Sequence, residues 1–204
     1  MPAFFRIPLC LILIWKLALF SANAQDKTTI LLFGDSIIAG YGVAAEESVP
    51  SQLQKIYDEK HRIIEVINGG VSGETTGQGR ERLATTLDKY NPDVVVVALG
   101  TNDVLRGLPV QATKENLAAM LALLQKRKIR TILSGVLAPG NAERLYGKEF
   151  NAIYATLAKQ YGVPLIPFLI GEDFNENGLM QPDNIHPNAK GTARIAENIA
   201  GYVK

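Results

Sequence analysis

The sequence predicts a three-layer α/β/α sandwich around a five-stranded, mostly parallel sheet. From residue 28 onward, short apolar and β-branched runs alternate with longer amphipathic stretches. Several runs are apolar at nearly every position, most clearly residues 94–99, and continuous apolarity is typical of parallel strands covered on both faces. Alternating units of this length imply right-handed crossovers that place helices on both faces of the sheet.

The elements follow in chain order. The predicted strands are residues 28–33, 63–67, 94–99, 131–136 and, with the weakest pattern, 163–166. The predicted helices are residues 49–60, 79–89, 112–127, 148–161 and 188–203. Each helix has apolar residues every three or four positions, and Gly162 supplies a suitable stop after the fourth. In such sheets ligands sit at the carboxyl ends of the strands, so the residues directly after each strand are the functional candidates.

The first 24 residues differ from the rest. An early arginine precedes an apolar run over residues 7–20, interrupted only by Lys16, and a small-residue cleavage pattern ends at Ala24. We therefore predict a signal peptide over 1–24, a single domain over 25–204, and a periplasmic or secreted product. A transmembrane anchor is the alternative, but the run is shorter than the roughly 20 residues that span a bilayer. Lipid attachment at Cys10 is disfavoured because no small residue precedes it.

Composition limits the classes of partner. Removing residues 1–24 takes away Arg6 and Lys16, which lowers the formal net charge of +1 by two, and also removes the single cysteine. About 180 residues remain, enough for one ordinary hydrophobic core without disulfides. Near-neutral charge with scattered basic residues argues against a nucleic-acid surface. No stable membrane anchor is expected once the signal peptide is gone.

A candidate nucleophile follows the first predicted strand. Gly34-Asp35-Ser36 places a hydroxyl at the carboxyl end of that strand, although a serine there could equally cap a turn or helix. A serine needs a base, and histidine suits that task near neutral pH. His61 lies among charged residues and is expected to be a solvated turn residue, whereas His186 directly precedes the last predicted helix. The absence of a Gly-x-Ser-x-Gly elbow argues against the usual α/β-hydrolase layout.

Asp183 precedes the candidate base His186 by three residues. A turn of that length can aim the carboxylate at the imidazole nitrogen that faces away from the nucleophile, which would fix the tautomer and stabilise the imidazolium. The alternative is an aspartate used for turn formation beside an incidental histidine.

Acyl transfer also needs donors for the oxygen that becomes negatively charged. After the second predicted strand, the glycine-rich segment 68–74 presents unobstructed backbone amides, and Gly73 is the candidate donor. After the third, the side-chain amide of Asn102 can donate into the same space. Each alone is explained by an ordinary turn, but together with Ser36 and His186 the functional interpretation is favoured.

The four segments, in this order, resemble the four blocks of the GDSL/SGNH hydrolase family. The matching residues are Gly34-Asp35-Ser36, Gly73, Gly100-x-Asn102-Asp103 and Asp183-x-x-His186. The resemblance implies a flavodoxin-like fold and adds the backbone amide of Ser36 to Gly73 and Asn102 in the oxyanion hole. Within the family the chain is most similar to the periplasmic thioesterase I, lysophospholipase and arylesterase group. It departs from the usual pattern in having Ile37 for leucine and Thr101 for glycine.

The expected activity is hydrolysis of small-molecule acyl esters or thioesters through an acyl-serine intermediate, with no metal or organic cofactor. An apolar groove for the acyl chain is predicted from loop residues near the strand ends. Its candidates are Leu105, Leu108, Leu137, Pro139, Leu145, Tyr146, Leu179 and Met180. A carbohydrate acetyl esterase on the same fold is one alternative, and a catalytically silent periplasmic binding protein is another.

Overall fold

A computed structural model describes residues 27–136, 147–170, 174 and 177–203 of the chain. Five strands form one sheet in the order β2-β1-β3-β4-β5, and every pairing is parallel. The strands are β1 (Thr28–Gly34), β2 (Ile64–Gly70), β3 (Val94–Ala98), β4 (Arg130–Ser134) and β5 (Leu165–Ile166). The prediction of a five-stranded parallel sheet is confirmed. Since β2 and β3 lie on opposite sides of β1, the strand order reverses at β1, where a ligand crevice is expected.

Seven α-helices accompany the sheet within the described ranges. They are α1 (Ser36–Ala39), α2 (Val49–Glu59), α3 (Thr76–Tyr90), α4 (Thr101–Leu105), α5 (Val110–Lys126), α6 (Lys148–Tyr161) and α7 (Ala189–Tyr202). The five predicted helices are all present, with ends that differ by a few residues at most. The short helices α1 and α4 were not predicted. Each comes just after a strand of the central sheet. Helix α1 contains the candidate residue Ser36, and α4 contains the candidate residue Asn102.

The core consists of two clusters on opposite faces of the sheet. Along β1, Ile30 and Leu32 contribute to the cluster beneath α2 and α7, while Leu31 and Phe33 contribute to the cluster beneath α3, α5 and α6. All four side chains are fully buried. Both faces of the strand are therefore covered, which explains why its sequence is continuously apolar. The predicted three-layer sandwich is confirmed.

Two glycines let α1 lie directly on the strand ends. A Cβ at Gly34 would come within 2.5 Å of Ile38 Cγ1 and 2.8 Å of the Ala98 carbonyl oxygen. A Cβ at Gly70 would come within 2.2 Å of the Ala39 nitrogen. Any side chain at either position would push α1 away from the sheet, so glycine is required for this close approach.

Several predictions fall outside the described residues. These are the signal peptide 1–24 and the groove candidates Leu137, Pro139, Leu145 and Tyr146. Within the described part of the chain, none of the helices combines the length and apolarity needed to span a membrane.

Candidate active site

Ser36 is the first residue of α1 and directly follows the capping residue. Asp35 is the N-cap, because its Oδ1 accepts a hydrogen bond of 3.1 Å from the Ile37 amide. Gly40, at a φ of 86°, ends the helix after one turn. The capping role that a purely structural interpretation offers Ser36 therefore belongs to its neighbour.

Ser36 and His186 meet although 150 positions separate them along the chain. The distance between Ser36 Oγ and His186 Nε2 is 2.9 Å. On the opposite side of the ring, His186 Nδ1 lies 2.6 Å from Asp183 Oδ2. The imidazole is largely buried, with 15% of its side chain exposed, whereas 39% of the Asp183 side chain is exposed. The structure thus brings all three predicted residues into one hydrogen-bonded line.

The Asp183 carboxylate accepts hydrogen bonds from backbone amides of the loop before α7. Its Oδ1 accepts from the backbone amides of Ile185 and His186, each at 3.0 Å, around Asn184 in the left-handed region. Desolvation acts to raise the pKa of Asp183, but these two amide bonds and the His186 side chain together outweigh it and lower the pKa to about 2. The carboxylate is therefore ionised at neutral pH and holds the proton of the imidazole on Nδ1, leaving Nε2 free to accept one.

Asn102 and Gly73 lie at the same sheet edge as Ser36. Asn102 Nδ2 donates to the Glu74 carbonyl oxygen at 3.1 Å and lies 3.5 Å from Asp35 Oδ2. Gly73 adopts a φ of 78°, and its carbonyl oxygen accepts from Arg106 at 2.6 Å. Asn102 thus joins the segments after β1, β2 and β3 beside Ser36.

A buried ion pair that the sequence analysis missed lies beside this loop. Arg82 on α3 pairs through two nitrogens with the carboxylate of Glu74, which is 5% exposed. The same guanidinium donates to the Gly69 carbonyl oxygen at 2.7 Å and lies 3.9 Å from the centroid of the Phe33 ring. One side chain therefore fixes the ends of β1 and β2 and the loop that carries Gly73. No local pattern in the sequence indicates that Glu74 and Arg82 form an ion pair.

Asp103 fixes the helix that carries Asn102. It is almost completely buried, at 1% exposure. Its carboxylate accepts from the backbone amide and hydroxyl of Thr76, at 2.8 and 2.5 Å, and from the hydroxyl of Thr113 at 3.2 Å. These bonds connect α4 to the start of α3 and to α5. A buried carboxylate is retained here because all its bonds come from polar groups of the surrounding helices.

Asp35 is a third buried carboxylate, next to Ser36, and is 2% exposed. Desolvation by burial is the main cause that raises its pKa to about 6, and the hydrogen bond from the Ile37 amide opposes this rise. The surroundings of Asp35 therefore disfavour its ionised form more than those of an ordinary aspartate do.

The remaining sequence predictions have mixed outcomes. His61 is an exposed turn residue with a φ of 52°, as predicted. Leu105 is 47% exposed near the site, whereas Leu179 and Met180 are half-buried against the core cluster beneath α2 and α7. Core packing thus covers part of the side-chain surface of Leu179 and Met180. Their contact with substrate stays a prediction.

Exposed apolar side chains come shortly after three of the strands. Among the described residues, four of the five large exposed hydrophobic side chains come shortly after β1, β2 or β3. These four, which we call the apolar rim, are Tyr41, Val71, Leu105 and Leu108, with exposures from 40% to 55%. Because they follow the strands whose ends carry Ser36, Gly73 and Asn102, these side chains are the candidates for contact with an apolar ligand.

Comparison with known sequences identifies one family. Residues 32–194 match the model of the GDSL-like lipase/acylhydrolase family. An arylesterase from Vibrio mimicus is 36% identical over 180 residues, which cover 88% of this chain and 90% of that protein. Thioesterase 1/protease 1/lysophospholipase L1 from Escherichia coli (strain K12) is 36% identical over 184 residues, covering 90% of this chain and 87% of that protein.

Comparison with solved structures agrees. The psychrotrophic esterase EstA from Pseudoalteromonas sp., inhibited by monoethylphosphonate, superposes with a TM-score of 0.81 and 34% sequence identity. The match covers 87% of this chain and 97% of that one. Both the fold and the resemblance predicted from the four sequence blocks are confirmed.

Proposed function

The chain belongs to the GDSL-like lipase/acylhydrolase family and is an ester-bond hydrolase, and from this premise we propose that Ser36, His186 and Asp183 are its catalytic residues. The observation that carries the proposal is the 2.9 Å distance between Ser36 Oγ and His186 Nε2, with Asp183 on the far side of the ring. This is the arrangement in which a histidine can take the proton of an attacking serine.

The first half-reaction acylates Ser36. Its Oγ bonds to the acyl carbonyl carbon while His186 Nε2 accepts the hydroxyl proton. The carbonyl oxygen becomes negative and accepts hydrogen bonds from the Ser36 amide, the Gly73 amide and Asn102 Nδ2. The Ser36 amide is suited to this role because the first N–H groups of a helix have no partner within the helix. The tetrahedral adduct then expels the alcohol or thiol, which takes its proton from His186.

The second half-reaction returns the enzyme. His186 removes a proton from water, whose oxygen bonds to the acyl carbon, and the bond to Ser36 Oγ breaks as the serine regains its proton. The same donors hold the second oxyanion. Asp183 stays ionised throughout, because its lowered pKa favours the carboxylate beside the imidazolium that forms in each step.

We further propose that the substrates carry apolar acyl chains, as in esters, thioesters or lysophospholipids. The apolar rim supports this substrate class, because its exposed side chains come shortly after the same strands as Ser36, Gly73 and Asn102. An acetylated sugar would instead call for polar side chains around the strand ends. Contacts from Leu179 and Met180 to the acyl chain belong to the same proposal.

A substrate panel tests both parts of the proposal. p-Nitrophenyl esters from acetate to laurate, an acyl-CoA, a lysophospholipid and an acetylated xylan are compared on the mature protein and on Ser36→Ala. We expect turnover that rises with acyl length beyond acetate, a burst of p-nitrophenol, and loss of both in Ser36→Ala. Selective activity on the acetylated xylan would replace the acyl-chain proposal, and full activity of Ser36→Ala would refute the catalytic assignment.

We also propose that residues 1–24 direct export and are removed, giving a periplasmic or secreted enzyme. The support is the sequence pattern that ends at Ala24. Intact mass of the protein purified from a Gram-negative periplasm should correspond to a chain beginning at Gln25. A mass that retains Met1 would contradict the proposal.

A further inference from the structure

Tyr41 contacts both partners of the proposed proton transfer. Its ring lies against the imidazole of His186, with centroids 4.5 Å apart and planes tilted by 38°. Its backbone amide donates to the carbonyl oxygen of Ser36 at 3.0 Å. The residue therefore links the backbone of the nucleophile to the ring of the base.

Gln181 binds the backbone of Tyr41 and the backbone of the segment that carries His186. Its Nε2 donates to the Tyr41 carbonyl oxygen at 2.8 Å and to the Pro187 carbonyl oxygen at 2.9 Å. Its backbone amide donates to the His186 carbonyl oxygen at 2.8 Å. Both hydrogens of the side-chain amide are thus used, one on Tyr41, which lies 140 positions away along the chain, and one on Pro187, six positions away.

The segment after α1 is shaped to receive this glutamine. Gly42 has a φ of 76°, and a Cβ there would lie 2.2 Å from Gln181 Oε1. Only glycine combines this backbone conformation with the space that the Gln181 side chain occupies. The contact is therefore built into both segments.

We propose that Gln181 and Tyr41 form a clasp that holds His186 against Ser36, so that both are positioning residues for the reaction. The inference rests on the catalytic roles proposed above for Ser36 and His186. Asp183 orients the imidazole, but its hydrogen bonds to Ile185 and His186 stay within its own loop and do not reach α1. The clasp supplies the link between the two segments, and the Tyr41 ring covers a face of the imidazole.

The clasp matters because proton transfer depends steeply on distance. A displacement of about 1 Å from productive geometry can cost on the order of 10²-fold in rate. An aromatic face also attracts a cation, so the Tyr41 ring favours the imidazolium that forms during both half-reactions. Loss of the clasp should therefore slow acylation and deacylation together, because His186 serves both.

Gln181→Met tests the bridge, since it keeps the side-chain length and removes both donated bonds. We expect kcat to fall by about 10- to 100-fold, with KM changed far less. Pre-steady-state kinetics with p-nitrophenyl butyrate should show the acylation and deacylation rate constants lowered by similar factors.

Gln54→Met is the matched control. Gln54 is also half-buried, and its Nε2 donates to the Ile64 carbonyl oxygen at 2.9 Å and to Asp58 at 2.8 Å, at the start of β2 and far from the site. The substitution removes bonds of the same kind, so it reports the general cost of losing a bridging glutamine. We expect Gln54→Met to retain the wild-type kcat even where its melting temperature falls.

Tyr41→Ala and Tyr41→Phe test the ring separately. Tyr41 is 55% exposed, so its truncation leaves the core intact even if Gln181→Met does not fold. We expect Tyr41→Ala to slow both half-reactions and Tyr41→Phe to restore them, because phenylalanine keeps the ring, while both variants keep the backbone carbonyl that Gln181 binds. Wild-type rate constants in folded Gln181→Met, or in Tyr41→Ala, would overturn the clasp.

The Ser36→Ala variant separates failure of the clasp from failure of the catalytic assignment. If Ser36→Ala keeps its activity, the catalytic assignment itself fails. If Ser36→Ala is inactive while the Gln181 and Tyr41 variants keep wild-type rates, only the clasp is wrong.

Discussion

The side-chain amide of Asn102 donates a 3.1 Å hydrogen bond to the backbone carbonyl oxygen of Glu74. This bond joins the helix after β3 to the loop after β2, directly beside Gly73. The proposed side-chain donor and one of the proposed backbone donors are therefore positioned by each other as well as by the sheet. Pre-organised donors of this kind stabilise the developing oxyanion without reorganising during the reaction.

Asn102→Ala removes this donor. We expect kcat to fall by about 10²- to 10³-fold with a smaller change in KM, because the lost bond is strongest in the transition state. Steady-state kinetics with p-nitrophenyl butyrate measures both constants. Gln111→Ala is a suitable control, since that side-chain amide donates to Glu115 on the exposed surface of α5. Equal losses in the two variants would contradict the role of Asn102.

Asp183→Asn should lower kcat by about 10⁴-fold, a loss far larger than its effect on stability. The asparagine Oδ1 can still accept from the Ile185 and His186 amides, but its NH₂ group would face His186 Nδ1. Nδ1 then becomes the acceptor and Nε2 carries the proton, so the ring cannot take the proton of Ser36. Kinetics and thermal melts of the same preparation provide the test. Activity within tenfold of wild type would be incompatible with a tautomer-fixing role.

Arg82→Met should destabilise the fold by about 3–5 kcal/mol, because it leaves the buried Glu74 carboxylate without its partner. Adding Glu74→Gln should recover part of this loss. Urea unfolding measures the free energies. Arg127→Met is the control, as its pair with Asp88 is exposed and should contribute less than about 1 kcal/mol. A loss no larger than that of the control would show that the pair has little structural role.

Asp35→Asn should stabilise the protein at pH 8 but not at pH 4. Burial raises the pKa of Asp35 from 3.8 to about 6, so the folded state binds the proton more tightly than the unfolded state. Stability due to this group therefore falls as pH rises from about 4 to 6, by up to about 3 kcal/mol. The asparagine Oδ1 can still accept from the Ile37 amide. Urea unfolding of both proteins at the two pH values measures the difference, and an equal difference at both would contradict it.

The sequence was sufficient for the sheet and for the proposed catalytic residues. Ser36, Gly73 and Asn102 each come shortly after a predicted strand, and parallel strands bring those positions to one edge. It was not sufficient for α1 and α4, because helices of four or five residues are too short to show a 3.6-residue period.

The missed contacts share one physical cause. The pairing of Arg82 with Glu74 and the bridge from Gln181 to Tyr41 depend on how helices and loops pack, not on any local spacing. Gly42 offered the nearest signal, since a glycine so soon after Gly40 indicates an unusual backbone. Its actual reason, the space taken by Gln181, becomes visible only in three dimensions.

Labelling by a fluorophosphonate tests the central claim, that Ser36 Oγ attacks with His186 as its base. Peptide mass spectrometry should find one adduct, on Ser36, with activity lost in proportion to labelling, and His186→Ala should label more slowly by several orders of magnitude. An adduct on another residue, or equally fast labelling of His186→Ala, would contradict the account.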